Sequence, residues 1–464
     1  MSVKRSRLGA SSEMLALSTL SFTKNILICL IDVKGPLNVE KLFDSARSAA
    51  SKFPQLTSVI EDIKHRRLHY LEWKFNGIDS LPLFFHDLSE SVSSDSAMEK
   101  ALSVLTPRLE RDWDLLVEVS SEFHCIQVSQ ERFLFGWIIH HAAGDAALAS
   151  DVGQETLLRY YEITHGQKLD SATLSVSLSG SQKKPVNQKK LVFSDHVREI
   201  KQAARNLFLK PKLPIGSGGK TNQGQNHSKT IFSEQESSDL LKKLRSKGIS
   251  LIDALVASTN LAIDQWNMDR NEEPGLLTTS VSVNMRGRFQ NVDHGNSSSL
   301  IFFESRPEER IDIQRFVKSI AIRRIHHFRK QVDLKLANDI KRMIDAARIF
   351  PYRIRRKIIS LITGQHEFSA AVTWLGVVWP KTEGGKLTSN SALTTVGDLN
   401  VEEVIGVPYK MLSKTKTLLV VYIFRNRLNF VHSASSSLFT KRENEMFLDT
   451  ILNQLNRLYS VSRK

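Results

Sequence analysis

The stretch Gly136-Trp-Ile-Ile-His140-His141-Ala142-Ala143-Gly144-Asp145-Ala146-Ala147 decides how the rest of the chain is read. Its apolar beginning extends the run from Phe133 to Ile139 and predicts a buried strand. Asp145 stands directly before a segment of helical spacing that reaches Tyr161, where a carboxylate side chain caps a helix. Two histidines therefore fall at a strand-to-helix turn, and the small residues after them let backbone or substrate approach closely. Imidazole titrates near neutrality, so a histidine held there accepts a proton from a hydroxyl or amine at working pH. The competing reading is a pair of core histidines bonded to backbone. Composition alone would give His-His followed by Asp at this spacing on the order of 0.02 times per chain.

Outward from this turn, Asn25 to Val33 reads as a central strand closed by Lys34-Gly-Pro, and Leu37 to Phe53 as a helix ended by Pro54. Strands are expected at Leu115 to Val119, Phe123 to Val128 and Phe133 to Ile139. Residues 1–165 thus form a first α/β subdomain carrying the histidine pair. Residues 166–230 turn to Ser, Gly, Gln, Asn and Lys and read as a connection broken by one amphipathic helix, Ser194 to Leu209. Gly216-Ser-Gly-Gly-Lys-Thr within it lacks phosphate-loop spacing. Residues 231–464 read as a second α/β subdomain. It opens on a capping box at Ser233-Glu-Gln-Glu236, has helix at Ile249 to Trp266 and strands at Thr278 to Val283 and Ser299 to Phe303, and turns basic and helical from Arg310 to Phe350. A hairpin from Leu418 to Val431 and a helix from Lys441 to Leu458 close it.

The 464 residues amount to about three times a usual domain of ~150, ample for a large core. With 41% hydrophobic and 24% charged residues the composition excludes collagen-like, disordered and disulfide-scaffold classes. No run is long and apolar enough for a membrane span, and Glu13 and Lys24 break the resemblance of the first residues to a signal peptide, so a cytoplasmic protein is expected. Cys29 and Cys125, the only cysteines, sit in apolar runs and read as buried thiols; no metal is expected. The net charge of +15 suits anionic partners: phosphates, acidic proteins or, peripherally, an anionic membrane surface. The basic stretch from Lys341 to Lys357 is the candidate surface, with a solvated face as the alternative. His326-His327 lacks a following Asp and reads as surface.

His140 to Asp145 resembles the HHxxxD signature of the CoA-dependent acyltransferase superfamily, which includes alcohol acetyltransferases, wax ester synthase/diacylglycerol acyltransferases and nonribosomal peptide condensation domains. The signature usually ends in glycine, where this chain has Ala146. Further stretches are similar in the same order: Phe53-Pro54-Gln-Leu56, Phe232 to Val256, Val281-Ser-Val-Asn284-Met-Arg286-Gly-Arg288 with Asp293-His-Gly295-Asn296, and Thr373-Trp374-Leu-Gly376. The plant-type DFGWG motif is absent.

The resemblance implies a fold of two chloramphenicol-acetyltransferase-like subdomains, each a mixed sheet with helices, and a solvent channel between them. It implies His141 as the catalytic base, with His140, Gly144 and Asp145 in support and Arg286 as the partner of Asp145. Asn284, Gly295, Asn296, Trp374 and Gly376 are the expected channel residues. The implied reaction carries an acyl group from acyl-CoA to an alcohol or amine without a covalent intermediate or a permanently bound cofactor. The alternatives are a condensation-type enzyme fed by a phosphopantetheinyl carrier-protein thioester and a non-catalytic binding relative. A monomer that binds no nucleic acid is expected. In a channel open to water, the working pKa of His141 is expected within about a unit of ~6.5.

Overall fold

The computed structural model describes residues 5–18, 25–90, 97–166, 211–218, 224–286, 296–364, 368–379, 381–383, 386–388, 394–409 and 417–460. In chain order the first elements are β1 (Arg5–Arg7), α1 (Ala10–Ser18), β2 (Ile26–Lys34), α2 (Val39–Ala50), β3 (Ser58–His65), β4 (Leu68–Phe75) and β5 (Leu83–Asp87). They continue with α3 (Ala97–Glu110), β6 (Ser121–Ser129), β7 (Arg132–His140) and α4 (Ala146–His165). After β8 (Gln225–Ile231) come α5 (Glu234–Ser246), α6 (Leu251–Met268), β9 (Leu277–Asn284), β10 (Ser298–Ser305), α7 (Pro307–Arg310), α8 (Ile313–Arg329), α9 (Val332–Ala347) and α10 (Tyr352–Gly364). The last are β11 (Ala370–Val377), β12 (Lys381–Glu383), β13 (Lys386–Thr388), β14 (Thr395–Val396), β15 (Leu399–Tyr409), β16 (Thr417–Phe424), β17 (Arg427–Ser435) and α11 (Lys441–Ser460).

Two mixed six-stranded sheets carry the fold. The first has the order β14-β15-β2-β7-β6-β5 and the second β10-β9-β11-β16-β17-β8. β2 is buried on both faces up to Lys34, which is why its sequence is a continuous apolar run and not an alternating one. Helix α4 lies against β2 and β7, capped at its start by the Asp145 side chain bonding Leu148 N and at its end by left-handed Gly166 at φ 68°. The capping box expected at Ser233 and Glu236 is present at the start of α5. On the second sheet, Trp266 of α6 packs edge-on against Phe439 and Phe447, with ring centroids 5.3 Å away in each case.

Four sequence expectations change. Sheet membership does not follow the sequence division at 165 and 231: β14 and β15, late in the chain, complete the first sheet, where β15 pairs antiparallel with β2 along its length. Part of the expected connection is also folded. Pro211 to Gly218 lies on α6, with Trp266 Nε1 donating to Ile215 O at 2.6 Å, and β8 begins at Gln225 as the edge of the second sheet. The amphipathic helix read at Ser194 to Leu209 lies outside the described residues. Leu115 to Val119 forms a turn and not a strand, because Asp114 bonds Leu116 N through its side chain and Val117 N and Glu118 N through its carbonyl. Within the basic stretch, Arg355 is fully buried and pairs with Glu13 of α1 and, at 2.9 Å, Asp62 of β3, while Arg348 pairs with Glu13 at 2.7 Å. These two arginines tie α9 and α10 to the first part of the chain and are unavailable to an anionic partner.

Among the described residues no helix is long and apolar enough to cross a membrane, and no cluster of three or more His, Cys, Asp or Glu side chains is placed to hold a metal. Both cysteines are free and buried, and burial pushes each thiol up to about 12. His326 is exposed on α8, and His327 stacks on Phe303 at 5.5 Å.

Candidate active site

β7 ends at His140, and the next five residues cross from the first sheet to α4. Main-chain bonds fix the crossing: His140 N donates to Ser120 O at 2.8 Å and His141 N to Asn25 O at 2.6 Å. Strand alternation then sends the two rings to opposite faces. His140 points into the first subdomain, where Nδ1 accepts Ala142 N–H at 3.1 Å and the ring packs edge-on to Trp113 at 6.3 Å. Its complete burial, together with the charges of His141 and Arg356, lowers its pKa to about 3. His141 points toward the second sheet. Glycine at 144 leaves room for Leu148: a Cβ would stand 2.7 Å from Leu148 Cδ2 and force that fully buried side chain to shift.

The second sheet meets this turn through the facing ends of β9 and β10. Their antiparallel register puts Ser298 opposite Asn284, so the connection between them carries Arg286 at its start and Asn296 at its end. The Arg286 guanidinium grips the Asp145 carboxylate in a two-pronged pair at 2.7 and 2.8 Å. Ser297 N and Leu148 N each bond the same carboxylate at 3.1 Å, filling it with four donors. Burial alone would raise the Asp145 pKa, but the charge and hydrogen bonds of Arg286 outweigh it and hold the carboxyl below its usual value of 3.8. Asn296 straps the histidine: its Nδ2 lies 3.0 Å from His141 Nδ1 and 3.0 Å from His141 O. Asn296 is itself oriented by Ser298, whose N–H and hydroxyl donate to Oδ1 at 3.2 and 2.8 Å.

Two cavities of about 1030 and 1020 Å³, open mouths included, meet at this point. His141, Ser282, Ser298 and Thr373 line both, so one imidazole and three hydroxyls surround the junction. Ser282 Oγ and Thr373 Oγ1 lie 3.1 Å apart across β9 and β11. The first cavity runs under α4 and is walled chiefly by apolar side chains such as Leu27, Val378, Val404 and Val420. The second carries more hydroxyl and amide groups, among them Ser280, Ser299, Thr417 and Gln225. His141 is only 6% exposed, so the site is drier than the expected open channel. Burial lowers its pKa below 6.5; hydrogen bonds with the main chain of His141 and Gly144 and the charge of Asp145 oppose that shift without cancelling it.

Of the expected channel residues, Asn284 and Trp374 line the first cavity and Asn296 the second. Gly295 lies outside the described residues. Gly376 lines neither cavity: at φ 79° it makes the bulge that shifts β11 against β16 between Trp374 and Val377, a backbone role. Ala146, in place of the usual glycine, is the first residue of α4 and lines the first cavity; its φ is not positive, so its methyl group meets no backbone penalty. Ser282, Ser298 and Thr373 were not singled out from sequence, because a hydroxyl in a strand carries no signal until the facing strand is known.

No family model matches the sequence, and no curated protein matches it. Solved structures do. A trichothecene 15-O-acetyltransferase from Fusarium sporotrichioides superposes with a TM-score of 0.65 at 12% identity, over 98% of this chain and 94% of that one. The first condensation domain of the calcium-dependent antibiotic synthetase, in complex with a substrate analogue, gives 0.66 at 12% identity over 99% and 97%. The chain has the fold of the CoA-dependent acyltransferases and condensation domains. A starter condensation domain of rhizomide synthetase, in complex with C8-CoA, gives 0.59 at 13% identity over 99% and 96%. The acetyltransferase and the antibiotic-synthetase condensation domain are two-subdomain folds, as is this chain with its two mixed sheets.

Proposed function

We propose that the protein is an acyltransferase that moves an acyl group from acyl-CoA to a hydroxyl or amine acceptor, with His141 as general base. The observation that carries this reading is that His141 is the single titratable side chain among the four described residues that line both cavities. Asp145 has its carboxylate filled by four donors, and His140 faces away. The Cys29 thiol on the first cavity wall stays protonated with its pKa pushed up to about 12, which disfavours a thiolate nucleophile.

In this mechanism the acceptor oxygen or nitrogen attacks the thioester carbonyl while its proton passes to the imidazole of His141. A base so placed contributes typically about 10²–10⁴-fold. The donors available to the tetrahedral oxyanion at the junction are the hydroxyls of Ser282, Ser298 and Thr373; one such donor is worth about 10²–10³-fold elsewhere. Collapse breaks the carbon–sulfur bond, and the imidazolium returns its proton to the departing thiolate. The products are an ester or amide and free CoA. Asp145 and Arg286 hold the turn that carries His141 and take no part in proton transfer.

The test is thiol release from acyl-CoAs of several chain lengths against a panel of alcohols and amines, with acyl N-acetylcysteamine thioesters as carrier-type donors. Release that requires an acceptor and yields the acylated acceptor is the expected result. Absence of acylated product with every donor and acceptor pair would favour a binding role for the fold.

A further inference from the structure

Strand β15, which joins the first sheet from far along the sequence, brings Gly406 opposite Cys29 of β2, and both residues line the first cavity. Directly opposed residues share a face of a sheet, and β2 in turn pairs Cys29 with Trp137 of β7. From Trp137 the alternation runs through Ile139 to His141, so the histidine and Gly406 look out from the same face. They are separated by roughly 13 Å along the strands, four residues, and about 10 Å across them, two strand spacings.

Gly406 differs from the other positions on this wall. A Cβ built there meets no atom within 4 Å, and its φ lies outside the left-handed region, so neither packing nor backbone geometry calls for glycine. Gly406 lies within β15, paired there with β2 on one side while β14 reaches only Leu399 and Asn400, and glycine inside a strand costs stability where a β-branched residue is favoured. What the missing side chain leaves is open volume on the wall shared with Val404 and Tyr422, in a mainly apolar cavity whose only charged lining groups among the described residues, Asp145 and Arg286, neutralise each other.

Resting on the acyl-transfer reading above, we infer that Gly406 sets the length of the aliphatic chain that the first cavity accepts while its reacting end sits at His141. The chain belongs either to the acyl donor or to the acceptor alcohol, and the two sources are separated by experiment. A side chain at 406 would fill that volume and exclude the last methylenes of a long chain, while leaving short substrates untouched.

Gly406→Val is compared with wild type in two series: S-alkyl-CoA thioethers from ethyl to dodecyl, bound at equilibrium by calorimetry, and linear alkan-1-ols of the same range as competitors of binding. These readouts need no turnover, so they stand even if acyl transfer fails. In wild type, affinity is expected to rise with chain length in one series. In Gly406→Val the rise should stop earlier, with a loss of roughly 10- to 200-fold per excluded methylene and no change for the ethyl member. Truncation in the thioether series assigns the chain to the donor; truncation in the alkanol series assigns it to the acceptor. Gly406→Ala, a smaller intrusion, should give a shorter truncation and serves if the valine variant does not fold. Length profiles that are flat in wild type, or identical between wild type and a folded variant in both series, overturn the inference. A truncation without any transfer in the thiol-release panel would leave Gly406 in this role and remove the acyltransferase reading instead.

Discussion

Replacing His141 with alanine lowers kcat by about 10² or more while the protein stays folded, as expected when a general base is removed and the rest of the site is left in place. The ring leaves a junction already open to two cavities, and Asn296 keeps its bonds to the His141 carbonyl and to Ser298, so the turn retains its main-chain support. His140→Ala behaves differently. It removes a fully buried ring from beside Trp113 and leaves Ala142 N–H without its acceptor, a packing and hydrogen-bond loss that shows first in the melting temperature. Steady-state kinetics and circular dichroism on the two variants separate the effects. Wild-type turnover from purified His141→Ala would remove the general-base role.

The second large effect falls on stability. Asp145 and Arg286 are 8% and 7% exposed in their side chains, so removing one partner strands a charge in a poorly solvated place. The expected cost is about 3–5 kcal/mol for either alanine variant. Asp145→Ala also deletes the cap of α4, worth about 0.5–2 kcal/mol, so it should be the more damaging. The double variant should be better than the sum of the singles by about 0.5–3 kcal/mol, because the second substitution removes the group the first has orphaned. Acid dependence follows from the same pair. The folded Asp145 pKa lies below the ordinary 3.8, so its contribution is complete above that value and is lost as pH falls through the lowered one. Without Arg286 the loss should begin at higher pH. Denaturant midpoints across acid pH for the four proteins measure both; strictly additive losses would mean that the pair is not coupled.

How far the site was legible depended on how local its signals are. The strand, the turn and the capped helix from Phe133 to Tyr161 lie within one continuous stretch, and apolar run, small residues and capping carboxylate all point the same way. The pairing of β15 with β2 joins Val407 to Ile28, and nothing in the alternation of either strand announces a partner so distant in sequence. The arginines of the basic stretch are a similar case. Arg348 and Arg355 look solvated by composition and are neutralised by Glu13 and Asp62, which lie 293 to 342 positions away. Leu115 to Val119 failed for a local reason: one Asp114 side chain turned an apolar segment into a loop with Val117 76% exposed. Cavity walls were least legible, since Ser282 and Thr373 meet His141 only when the two sheets are brought together, and Gly406 joins the first cavity only through the distant pairing of β15 with β2.

The proton that His141 must accept gives the most direct test. Burial holds its pKa below 6.5, so the neutral ring is already dominant at neutral pH. The dependence of kcat/KM on pH, measured with chemistry limiting, should rise along a single limb whose midpoint lies below 6.5 and then level off through neutrality. Folding is checked by circular dichroism at each pH, because buried neutral His227 and His432, with pKa values of about 4, cost the folded state stability as pH falls below the ordinary histidine value. A folded protein whose kcat/KM climbs on this limb supports His141 as the base, and the limb should vanish from the residual activity of His141→Ala. A rate that stays level with pH while the protein remains folded down to about pH 4, or a limb unchanged in His141→Ala, would contradict it.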